Sequence, residues 1–247
     1  MTMAASTILV AAAVFTAFLS GIFGMAGGLL LMGVLALLLP VSAAFVTHGF
    51  LQLVANGWRA LLHRRHIAWR IIGFYVIASI VAGLAVWLVA FQPSKRLLYL
   101  LLGLVPMLVW LPRRWLALDA SRPGQAFVSG LLVTGLNLTA GVAGPLLDVF
   151  FVNTKLDRHQ IVATKAATQV FSHLAKIIVY GLPLVHAGAV GVPSAPVLAA
   201  AVVGSMIGTT AGGRVLARLT NDGFKRWTAW IVTAIGVVYL VRAAILP

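Results

Sequence analysis

The chain has 247 residues, 62% of them hydrophobic and 9% charged, with a formal net charge of +14. Soluble domains run near a quarter charged, so lipid rather than water must solvate most of this surface. The lack of cysteine excludes disulfides, Cys-ligated zinc and thiol catalysis, and the basic excess, with no basic soluble domain or aromatic platform beside it, is the loop charge of a membrane protein and not a nucleic-acid footprint.

In chain order, the apolar pattern predicts ten helical segments. The first five are 6–24, 27–39, 43–62, 68–91 and 95–111; the second five are 125–141, 143–153, 158–181, 194–219 and 224–246. Met1–Leu9 has no basic stretch and no cleavage site follows, so it is read as the start of the first membrane segment and not as a signal peptide. Segments 27–39 and 143–153 are too short to cross about 30 Å of hydrocarbon at about 1.5 Å per residue. Each follows a glycine-rich break: Gly21, Gly24, Gly27 and Gly28 in one case, Gly135, Gly141 and Gly144-Pro145 in the other. Interrupted segments at matching places in two halves point to a midplane binding site.

The halves are related. Thr47-His48, Gln52, Asn56 and Arg59 recur 117 positions later as Thr164-Lys165, Gln169, His173 and Lys176. The same offset aligns Gly27-Gly28-Leu29-Leu30 with Gly144-Pro145-Leu146-Leu147. Residues 1–122 are thus read as a first membrane repeat and 123–247 as a second, within one integrated transmembrane domain. If all ten segments cross, Arg64, Arg65, Arg70, Arg113, Arg114, Arg122, Lys155, Arg158, Arg214, Arg218, Lys225 and Arg226 fall on one side, against Lys95, Arg96 and Arg242 on the other. That asymmetry predicts a multi-pass protein of the inner (cytoplasmic) membrane with both termini outside. An odd number of crossings per half makes the repeats opposite in topology, as in many secondary transporters. The predicted fold is all-α: two inverted repeats of about five segments, with glycine-broken short helices.

Polar residues in the apolar runs carry the functional reading. Lys165, Gln169, His173 and Lys176 form one helical stripe, and His48, Gln52, Asn56 and Arg59 its counterpart. An intramembrane ionisable residue is a functional hypothesis by default. Arg59, Lys165 and Lys176 share at most one intramembrane carboxylate, Asp148, so an anionic cargo is expected to supply the missing charge.

In these residues the chain resembles the TauE/SafE family of sulfite and organosulfur exporters, over about residues 10 to 242. The carrying features are Ser20-Gly21-Ile22-Phe23-Gly24-Met25-Ala26-Gly27-Gly28 and the Thr47-His48 stripe, then Gly141-Val142-Ala143-Gly144-Pro145 and Ala163-Thr164-Lys165-Ala166 with Gln169, His173 and Lys176. The resemblance implies a membrane transporter for sulfite, sulfonates or related anions, with the duplicated motifs lining the path. The expected substrate-binding residues are Gly24, Gly27, Gly28, Thr47, His48, Gln52, Asn56, Gly144, Pro145, Thr164, Lys165, Gln169 and His173. Asp148, Arg59 and Lys176 are candidates for charge or proton coupling, with Asp148 either pairing with Lys165 or relaying a proton.

The mechanism expected is alternating access, with backbone N–H groups of the glycine breaks and the hydroxyls of Thr47 and Thr164 holding the oxyanion and Lys165 supplying charge. A small-anion channel of the same fold is the alternative. The coupling ion, proton or sodium, is left open, as is export against uptake. No enzyme is expected: there is no glutamate, cysteine or nucleophile turn. No cofactor and no metal site are expected, and the partners are the anion and the bilayer.

Overall fold

The computed structural model describes residues 1–23, 25–110, 118–216 and 221–246; the side chains of Met25, residues 221–226 and Thr228 lie outside the description. Among the described residues the chain is helical throughout. The helices are α1 (Met3–Phe23), α2 (Met25–Leu38), α3 (Val41–Leu62), α4 (Trp69–Leu88), α5 (Lys95–Leu104), α6 (Pro123–Ala140), α7 (Gly144–Phe151), α8 (Arg158–His186), α9 (Ala195–Leu216) and α10 (Asn221–Ile245). Helices α1, α4, α8 and α9 are long and apolar enough to cross a membrane. Large apolar side chains such as Ile77, Ile80, Leu84, Val203 and Ile207 point outward, while Thr16, Gln52, Asn137, His173 and Lys176 are buried. This inside-out distribution suits lipid as the solvent. The chain is a polytopic helical membrane protein.

Local chemistry explains the boundaries. Asp157 caps α8: its Oδ1 accepts from the N–H of His159 at 2.8 Å and of Gln160 at 2.9 Å, and Gln160 Oε1 accepts from the Asp157 N–H at 3.1 Å. Pro123 opens α6, and Gly141, at φ +78°, ends it in the left-handed region. Two predicted segments differ from what forms. Segment 95–111 stays α-helical only to Leu104 and tightens into a 3₁₀ turn over Val105–Trp110, because Pro106 has no N–H to donate back. Segment 158–181 instead runs on to His186 with Pro183 inside the helix.

Packing fixes where the stripes meet. Helix α1 lies along α9 in parallel, Val14 against Gly204 and Gly208, and Gly21 against Gly212. Helix α4 lies along α6 in parallel, Tyr75 and Ala78 against Gly130 and Ser79 against Thr134. Helices α3 and α8 run antiparallel, with His63 beside His159, Gly57 beside Val170 and Val46 beside Gly181. Helices α5 and α10 are also antiparallel, Tyr99 meeting Tyr239 and Trp110 meeting Trp230. Exchanging the two halves maps this pairing onto itself. A buried hydroxyl chain, Tyr75–Ser172–Thr134–Ser79 at 2.7–2.8 Å, ties α4, α6 and α8 together and fixes the α8 stripe.

Helices α6 and α7 form a hairpin. The Ala120 N–H donates to Phe150 O at 2.8 Å, so α7 comes back at its end beside the segment that leads into α6. Its eight residues rise only about 12 Å at about 1.5 Å each, well short of a crossing. The hairpin tip, Gly141–Ala143, therefore ends within the molecule.

Candidate functional site

A cavity of about 200 Å³ lies between the α3 and α8 stripes, closed by the C-terminal part of α1, the start of α2 and the α6–α7 tip. This is small beside the 300–1,000 Å³ typical of drug-sized ligands, and fits a small ion with some water. One end is reached by solvent: the side chains of Lys165 and Asp148 are 27% and 37% exposed. The other end is sealed, with His48, His173 and Lys176 at 1%, 4% and 0% exposure.

At the open end Lys165 Nζ is paired with the Asp148 carboxylate. Arg59 Nη2 donates to Ser20 O at 3.0 Å, near the C-terminus of α1, where the helix dipole favours a cation. Its partner in the repeat, Lys176, does the same for the second half: Nζ donates to Gly141 O, just past the end of α6, at 2.5 Å. Lys176 Nζ also lies 3.2 Å from His48 Nδ1, while His48 Nε2 lies 3.0 Å from Gly28 O. A carbonyl only accepts, so His48 carries its hydrogen on Nε2 and receives Lys176 on Nδ1.

The cavity wall is polar but under-satisfied. Asn56 Nδ2 donates to Gln52 O at 2.9 Å and to Gln52 Oε1 at 3.2 Å. Asn137 Nδ2 sits 3.4 Å from His173 Nδ1. Gln169 Nε2 and Asn137 Oδ1 are buried without a hydrogen-bond partner. Native interiors hold few such atoms, and those at a cavity wall are poised for a ligand. Two cations against one carboxylate leave the lining net positive.

The family described as sulfite exporter TauE/SafE matches residues 9–239. The chain belongs to this family. No curated protein and no solved structure matches it. The family is one of transporters, and this TauE/SafE chain is accordingly a membrane transport protein, its described family cargo being sulfite.

Within the TauE/SafE chain the predicted site residues divide. Gly28, His48, Gln52, Asn56, Arg59, Gly144, Asp148, Lys165, Gln169 and His173 line the cavity. Gly27 does not: a side chain there would run into the α1 backbone at Thr16 O and Ser20 N. Thr164 Oγ1 instead accepts from the Ala68 N–H at 2.9 Å, holding the start of α4. Thr47 is buried away from the cavity with its hydroxyl unpartnered, and Pro145 sits in the first turn of α7. Lys176 stands behind His48, outside the lining. Gly24 lies outside the described residues. Ser20 and Asn137 were not among the predicted site residues, yet both line the cavity. They stand 117 positions apart, so the offset that aligned the stripes was the signal for them.

Proposed function

We propose that this protein carries a small sulfur oxyanion, sulfite or a sulfonate, across the cytoplasmic membrane by alternating access between two inverted repeats. The carrying observation is the cavity itself: small, bounded by apolar helices, net positive through Arg59 and Lys165 against Asp148, and edged by unpaired polar atoms of Gln169 and Asn137. Inverted repeats are supported by the antiparallel α3–α8 and α5–α10 pairs and by the exchange of α1–α9 for α6–α4. The open end lies beside Arg64, Arg65 and Arg158, which makes it cytoplasmic by the positive-inside rule. Cargo for export would load there.

A carrier reading is favoured over a channel by what seals the other end. Phe45 and Tyr180 pack at 4.6 Å between ring centroids, and Lys176 Nζ lies 5.4 Å from the Phe45 ring. Beyond them a second cavity of about 350 Å³ is lined by Ser42, Trp87, Gln92 and Tyr180. A layer between two vestibules is what a carrier opens on one side at a time. The test is ligand-induced stabilisation of the purified protein by sulfite, thiosulfate, methanesulfonate and sulfate. Saturable rises in melting temperature are expected with the sulfur(IV) anion and sulfonate. Equal, non-saturating responses to every salt would discard the reading.

A further inference from the structure

Among the described residues, Lys176 is the buried cation that has no part in the cavity wall and no carboxylate beside it. It is fully buried at the sealed end. Asp148 is taken by Lys165, and Asp119 and Asp157 lie in loops at the helix ends. The groups facing Lys176 are Gly141 from the α6–α7 tip, His48 and Phe45 from α3, and His173 one turn back on α8. Of these only the two imidazoles titrate.

The hydrogen count at Nζ is informative. Two acceptors face it, Gly141 O and His48 Nδ1, and the Gly28 carbonyl fixes His48 as an acceptor on that side. A neutral amine has two hydrogens and satisfies both acceptors; an ammonium has three and also satisfies both. The third proton can arrive or leave without breaking either bond. What changes is charge, and an unpaired buried ammonium is strongly unfavourable. An anion in the adjacent cavity, past His48, supplies the compensation that the protein lacks.

We infer that Lys176, which stands behind His48 at the sealed end of the cavity, is a proton-binding site whose occupancy is tied to that of the anion, so that one proton travels with each monovalent anion. The inference rests on the transport reading above. In the cycle the anion enters, Nζ takes one proton to become an ammonium, the layer at Phe45 and Tyr180 opens, and anion and proton leave together with no net charge moved. Linkage is reciprocal: the anion raises proton affinity by the same factor as the proton raises anion affinity, typically about 5- to 150-fold. The His48 and His173 rings, 5.6 Å between centroids, stand between Nζ and the cavity, so a proton reaches Nζ only when they turn aside.

The test uses proteoliposomes holding a pH dye, with methanesulfonate as probe, because its acid is fully ionised and carries no protons of its own. Wild-type protein should acidify or alkalinise the lumen in step with the methanesulfonate gradient, and a pH gradient should drive uptake of labelled anion. Lys176→Arg keeps a permanent charge, so anion-for-anion exchange should survive while pH-driven uptake falls at least tenfold. Lys176→Met, which places a neutral side chain there, should lose the pH dependence of anion affinity. Methanesulfonate flux in wild type with no proton movement overturns the inference and leaves the transport reading standing. Proton-coupled uptake retained in Lys176→Arg overturns it as well. No methanesulfonate movement by correctly inserted wild type overturns both.

Discussion

At the residue scale, the pairing of Lys165 with Asp148 changes what substitutions there should do. Lys165→Ala leaves a carboxylate facing the entering anion. Truncating one member of a buried pair costs about 2–5 kcal/mol; partial exposure here brings that to about 1–2 kcal/mol, roughly a 5- to 30-fold loss of affinity. Asp148→Asn frees the ammonium and should tighten anion binding, the opposite sign, measured by calorimetric titration on the same preparation. Gln169→Leu removes an unpaired buried amide and should raise the melting temperature while weakening the anion by about 1–2 kcal/mol. A fall in both would make Gln169 structural. The stripes were legible because polar side chains at helical spacing stand out in apolar sequence. The partners were not: that Lys165 reaches Asp148, Thr164 reaches Ala68 and Lys176 reaches Gly141 depends on how separate helices dock.

At the scale of elements, glycines that look alike in sequence serve different ends. Those of α9 let α1 approach: a Cβ on Gly208 would meet Val14 O and Phe18 N, both backbone. Gly28 has room, its nearest neighbour being the Gln52 side chain at 3.4 Å. Gly208→Leu should therefore lose folded protein, whereas Gly28→Ala should fold and bind the anion more weakly; size-exclusion profiles with binding on the folded fraction separate the two. Ten segments were readable from hydropathy, and their alternation implied that α7 turns back on α6, but not where it docks: only the Ala120–Phe150 bond places the end of α7 beside the segment before α6. The α3–α8 junction adds a pH response. Burial, then the nearby His159 and His66 rings and Arg59, hold the His63 imidazole below its ordinary 6.5. Its neutral form is thus favoured in the fold, so its stability contribution is present above about pH 6.5 and is lost as pH falls below it. Asp157, held below the usual carboxylate range by the Gln160 N–H, titrates too low to interfere. Melting temperature in detergent should drop by a few degrees from about pH 7.5 to about 5.5, and by less in His159→Gln.

For the whole molecule, the duplicated spacing of 117 residues gave the correspondence between halves, while their mutual arrangement came only from packing. The lack of native cysteine makes sidedness testable. Ser94→Cys and Ser194→Cys should react with an impermeant thiol reagent from outside intact cells, and Ser121→Cys and Lys155→Cys only after the membrane is opened. Labelling of Ser194→Cys and Ser121→Cys from the same side would sink the inverted topology. The most direct measurement is the initial rate of labelled sulfite uptake into proteoliposomes over a range of concentrations, for wild type and for Lys165→Ala. The predicted result is a rate that saturates in wild type and is reduced at every sub-saturating concentration in Lys165→Ala. A rate linear in sulfite, or one that Lys165→Ala leaves unchanged, would contradict a carrier whose anion passes through this cavity.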